Sequence, residues 1–217
     1  MRIHKTPFIE KILKFYGTDL LINFKEAPYV KEYLSRLAER MLEGVQAQHS
    51  FVFQEINNYH KNYLGVPIED LAKLKLTLAD CQNTIAHEYG FENWEAIADD
   101  LKYDKEFEVA IDCLLIAQFD DLKKKIDANP DLIFRKSQFG HQATLLHYVA
   151  SNGVEIWRQI VPLNLVEMTK YLLEKGADKN AKMKVYGGEF SVLALLKTSA
   201  HPYEAGVAKE MIELLQD

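Results

Sequence analysis

An all-α fold is what this sequence predicts, on three observations. Apolar residues recur with helical spacing along almost the whole chain. Sustained apolar–polar alternation of the strand type is missing. From residue 106 onward, short helix-like blocks follow one another in pairs and resemble each other internally. The 217 residues accordingly divide into a helical amino-terminal region, 1–103, and a region of helix pairs, 104–217.

Each element has its own signal. PFIEKILKFYG sets Phe8, Ile12 and Phe15 on one face and stops at Gly17. PYVKEYLSRLAERMLEGVQAQ predicts a helix over 28–47. Pro28 is tolerated in a first turn, and Val30, Leu34, Leu37, Met41 and Val45 form the apolar stripe. FVFQEINNYHKNYLG predicts a helix over 51–64, with Val52, Ile56, Tyr59 and Tyr63 on one side and Gly65 at its end. His49 and His60 lie 11 residues apart, about three turns, too far to share a metal.

LTLADCQNTIAHEYGFENWEAIADDL predicts helices over 77–89 and 94–102. Thr77 and Asp80 have capping-box spacing, with Asp in place of the usual Glu or Gln. Leu78, Cys81 and Ile85 supply the stripe, Gly90 suits a left-handed cap, and Asn93 caps the second helix. A DNA-reading corner would carry Lys or Arg on that second helix, whereas WEAIADD offers acids.

The remaining helices are expected near 106–117, 120–128, 144–152, 164–175, 191–199 and 205–216. EVAIDCLLIA, TLLHYVASNG and SVLALLKTSA are matching blocks, each followed by a second helix. Their starts, Glu108, Thr144 and Ser191, are 36 and 47 residues apart.

Charge narrows the function classes. The net charge is −6, and residues 1–101 carry 11 Lys+Arg against 15 Asp+Glu, the rest 15 against 17. Neither part is basic, so no nucleic-acid or membrane-surface footprint is expected. No apolar run approaches the roughly 18 residues of a membrane span, and the amino terminus does not read as a signal peptide. Cys81 and Cys113 sit in apolar helical patterns and predict buried free thiols in a cytoplasmic protein.

No metal, cofactor or catalytic constellation is expected. H-E-x-x-H, C-x-x-C and a glycine-rich phosphate loop are all missing. YGGEF reads as a tight turn. His147 and Ser151, four residues apart, imitate a base and nucleophile, yet no oxyanion turn or acid partner accompanies them.

TLLH and YLLEKGADKNAK together resemble the ankyrin repeat, whose motif begins T-P-L-H and ends L-L-x-x-G-A-D-x-N-A. The matching residues are Thr144, Leu146 and His147, then Leu172, Leu173, Gly176, Ala177, Asp178, Asn180 and Ala181; Leu145 replaces the usual proline. The resemblance covers about 104–217. Farther upstream, LADCQNTIAHEYGFENW is similar to a leader, L-x-D-A-Q-x-x-I-A-R-E-x-G-F-x-x-W, found before the repeats in a group of bacterial ankyrin proteins of no established activity. Cys81 and His87 depart from its commonest residues.

The resemblance implies an α-solenoid of about three ankyrin-type helix pairs, with the leader stacked on the first. It implies that Thr144, His147, Gly153, Gly176 and Asp178 are architectural, and that the stack binds another protein without catalysis. Relative to the repeat, VEIWRQIVPLN, residues 154–164, is an insertion. Its mixture of Trp157, Arg158 and Pro162 suits a projecting, semi-rigid loop of hot-spot composition. Trp157 and Arg158, with Tyr186 and Phe190 of KVYGGEF, are therefore the candidate partner-binding residues; the alternative for 154–164 is that the segment packs, with Trp157 tucked into the stack as a plug. Self-association through the last helix, near 205–216, is a further expectation. Two alternatives come from other classes: a small-molecule hydrolase with a pocket between leader and repeats using His87, Glu88 and His147, and a secreted host-directed effector.

Overall fold

A computed structural model describes residues 3–22 and 27–216. Helices dominate, and the strands among the described residues form two two-stranded sheets. No helix among the described residues is long and apolar enough to cross a membrane. The chain divides into two compact units, Glu10–Tyr103 and Met1–Ile9 with Asp104–Asp217.

In the unit Glu10–Tyr103, α1 (Pro7–Tyr16, from Glu10 on) and α2 (Thr18–Ile22) are followed by α3 (Val30–Gln46) and α4 (Ser50–Tyr59). Val30, Leu34, Leu37, Met41 and Val45 of α3 are all buried, as the stripe requires. Gly44 lets α3 approach its neighbours: a Cβ there would sit 2.6 Å from Val52 Cγ2 and 2.7 Å from Phe15 Cζ. After α5 (Ile68–Leu71), α6 (Leu78–Glu88) packs on α3 and α4.

The predicted caps of α6 are formed. Asp80 Oδ2 accepts the Thr77 N–H at 2.8 Å, and Thr77 Oγ1 accepts the Asp80 N–H at 3.4 Å. At the other end, Gly90 adopts φ +78°, and the Phe91 N–H donates to the Ala86 carbonyl at 2.9 Å. The helix expected over 94–102 is a single 3-10 turn, Trp94–Ala96. The chain turns extended at Ile97, and the Leu101 carbonyl accepts the N–H of Val30 at 2.8 Å. Asp99 and Asp100 would also oppose the dipole at the end of a longer helix.

The other unit contains α7 (Lys105–Leu115), α8 (Phe119–Ala128), α9 (Leu145–Tyr148), α10 (Leu165–Glu174), α11 (Val192–Thr198), α12 (Ala200–Glu204) and α13 (Ala208–Gln216). Helix α9 is half its expected length. Ser151 at φ +48° and Gly153 at φ +75° turn the chain away after Val149. Strands β1 (Ile3–His4) and β2 (Val161–Pro162) pair antiparallel, with Ile3 opposite Pro162. Strands β3 (Lys182–Val185) and β4 (Gly188–Ser191) form a hairpin that closes at Tyr186–Gly187, both at positive φ. An interior of Phe107, Ile111, Leu114, Leu146, Leu165, Leu172, Met183, Leu196 and Met211 holds this unit together.

Candidate functional site

Thr144 begins α9, and its side chain and backbone both turn toward His147. The Thr144 N–H and hydroxyl donate to His147 Nδ1 at 3.1 and 2.8 Å. That leaves the ring proton on Nε2, which donates to the Ala181 carbonyl at 3.1 Å. Burial lowers the His147 pKa to about 4. The imidazole therefore spans from a helix start to the turn before β3, with both nitrogens occupied. Ser151 is engaged elsewhere: its hydroxyl donates to the Ile160 carbonyl at 3.0 Å. Gly176 takes φ +94°, and Asp178 Oδ1 accepts the Asn180 N–H at 2.8 Å. These two shape the descent from α10 into the hairpin.

The segment 154–164 does not project. Arg158 is fully buried, and Ile156, Gln159, Ile160, Val161 and Pro162 are buried around it. Its guanidinium lies 2.8 Å from Glu108 Oε2, 3.2 Å from Glu155 Oε1 and 3.2 Å from Asp112 Oδ1. It also sits 4.6 Å from the half-buried Trp157 ring. One cation is thus set among three carboxylates, two of them on α7. Burial pushes Glu108 up to about 7 even beside Arg158. Burial also works against Glu155, but Arg158 and His141 hold it below its ordinary value. The expectation of Arg158 as a surface anchor is corrected here: the charge is used internally, where leaving α7 would strand it.

Tyr186 and Phe190 stand at the hairpin. Tyr186 is 60 % exposed, and its hydroxyl donates to Asn152 Oδ1 at 2.7 Å. Asn152 in turn donates to the Leu195 carbonyl and to Thr198 Oγ1, each at 3.0 Å. Phe190 meets the Tyr186 ring edge to face, centroids 6.4 Å apart. The tip is therefore exposed yet anchored. Asn152 went unnoticed in the sequence because its role depends on contacts 34 and 43 residues away. The short alternation in KMKV was the legible sign of the hairpin.

In the unit Glu10–Tyr103, a polar cavity of about 320 Å³ is lined by residues that include His60, Asp80, Asn83 and His87. Asn62 N–H donates to His60 Nδ1 at 3.3 Å, and His60 Nε2 is 3.7 Å from Asp80 Oδ1. His87 has Nδ1 3.0 Å from the Tyr59 carbonyl and Nε2 3.0 Å from that of Glu92. Burial lowers the pKa of both histidines. Glu88 is buried and does not line this cavity, and His147 belongs to the other unit. Among the described residues, no group of three or more His, Cys, Asp or Glu is placed to hold a metal ion.

Comparison with protein-family models, with curated proteins and with solved structures finds no match to this chain.

Proposed function

We propose that the chain is a non-catalytic, ankyrin-type scaffold that binds another protein through the hairpin at Tyr186 and Phe190. The observation that carries this reading is the tip itself, an exposed aromatic ring held by Asn152. A ring fixed before encounter loses little conformational freedom on binding, which is what makes rigid aromatics effective anchors. Further support comes from the His147 link between α9 and the turn before β3, a tie that suits successive units of a solenoid. A cytoplasmic setting belongs to the same reading, supported by the buried free thiols Cys81 and Cys113.

The test is capture of a partner from the native source with tagged protein, followed by titration of Tyr186→Ala with Phe190→Ala. The double variant is expected to lose at least about tenfold in affinity, or about 1.4 kcal/mol, with an unchanged melting curve. Full affinity in a folded double variant would move the binding surface away from the hairpin.

A further inference from the structure

In the unit Glu10–Tyr103, a carboxyl group is buried where α1, α4 and α6 bring their polar ends together. Glu55 of α4 is 1 % exposed, and Glu88, the last residue of α6, is 3 % exposed. The Tyr16 hydroxyl, at the end of α1, donates to Glu55 Oε1 at 3.0 Å. Glu55 Oε2 is buried with no hydrogen-bond partner, although the Glu88 carboxyl stands close by. Two acceptors that face each other need a proton between them. The surroundings supply no balancing charge. Among the described residues, the groups that act on Glu55 are Glu88 and Tyr16, neither of them a cation. Cys81 of α6 also faces it, and burial pushes that thiol up to about 12. The cations of α3 are engaged elsewhere, Lys31 with Asp99, Arg36 with Glu32 and Arg40 with Glu43. From α5 the buried side chain is Leu71, while Glu69 and Asp70 are exposed. Glu55 therefore meets two neutral groups and a second acid.

We propose that Glu55 keeps its proton in the folded unit and donates it to Glu88, so that the pair is a pH-sensitive latch between α4 and α6 that opens as the solution turns alkaline. An ionised carboxylate stripped of water and lacking a cation is strongly disfavoured, whereas the protonated form supplies the missing hydrogen bond. Burial first, and then the neighbouring Glu88, raise the Glu55 pKa well above 4.5. The contribution of the latch is accordingly complete below the ordinary value of 4.5 and is lost as pH rises through the folded value. Opening lets Glu55 ionise in water, so each rise in pH favours the state in which α6 has left α4. Cys81 reports that state. Its thiol is fully buried on α6 and held protonated, so a reagent reaches it only when the helix moves.

Two measurements on the full chain test this. In wild type labelled with carbon-13 at the glutamate carboxyls, the Glu55 signal should keep its protonated shift at about pH 6, where exposed glutamates are ionised. Titration of Glu55 together with those glutamates, near 4.5, overturns the inference. In a Cys113→Ala background, Cys81 is labelled with a pyridyl disulfide from about pH 5.5 to 7.5, and each rate is divided by that of a peptide spanning Cys81. The resulting opening ratio should climb by up to about tenfold per pH unit, the slope of one linked proton. Glu55→Gln, which keeps the shape and carries an amide donor, should flatten that climb. Equal slopes in the two proteins overturn the inference. If Glu55→Gln does not fold, the carbon titration of wild type still decides.

Discussion

His147 receives two hydrogen bonds at Nδ1 and gives one from Nε2, so a second proton has no acceptor without breaking the cap. Its pKa of about 4, held down by burial, lies below the ordinary 6.5. Between those values the unfolded chain binds a proton that the folded chain refuses. Stability owed to neutral His147 is therefore complete above about pH 6.5 and falls as pH drops toward 4. His147→Ala should cost about 1–3 kcal/mol at neutral pH, from the unsatisfied groups it leaves. Urea unfolding at pH 7 measures this; an unchanged midpoint would show that the cap carries no stability. The residue types of this cap were readable in TLLH. Its acceptor, the Ala181 carbonyl, was not, because the two are 34 residues apart.

At the scale of elements, the segment 154–164 acts as a clasp on α7. Glu108 and Asp112, one turn apart on that helix, meet Arg158, and Glu155 closes the group from the segment itself. Arg158→Met should destabilise the fold by about 3–5 kcal/mol, since it leaves carboxylates buried without their cation. Adding Glu108→Gln and Glu155→Gln to that variant should restore part of the loss, because the uncompensated charge goes with them. Denaturant melts of the single and triple variants decide it. A cost below about 1 kcal/mol for Arg158→Met would mean that the clasp does not hold the loop. The sequence singled out the segment 154–164, but its composition pointed outward. Trp and Arg suit an interface and a buried ion pair equally, and only the arrival of α7's acids separates the two.

For the whole molecule, two buried groups tilt stability in opposite directions with pH. Glu108, raised from 4.5 to about 7, holds a proton in the folded state that the unfolded chain has released. Its contribution is present below about pH 4.5 and is lost as pH rises through 7, whereas that of His147 is lost on acidification. Between about pH 4.5 and 6.5 the two slopes oppose each other. Glu108→Gln should unmask the His147 slope, so that stability climbs with pH across this range relative to wild type. His147→Ala should unmask the reverse. The difference accumulated in each case is of the order of 1–3 kcal/mol, read from urea midpoints at matched ionic strength. Parallel pH profiles for both variants and wild type would contradict the opposed pair.

Some of this protein was determined by local chemistry alone. The stripe of α3, the Thr77–Asp80 cap, the Gly90 stop and the predominance of helix follow from spacing and capping within a few residues, and they stand where those rules put them. Other features needed the folded chain. Ile3–His4 pairs with Val161–Pro162 across almost 160 residues, and nothing in either dipeptide signals the other. The stretch after Trp94 abandons helix because Leu101 serves the start of α3. Arg158 is buried because three carboxylates converge on it. Periodicity and caps act over one or two helical turns, so sequence can state them. Burial of a charge and pairing of distant strands depend on which groups meet in space, and that was decided only by the tertiary structure.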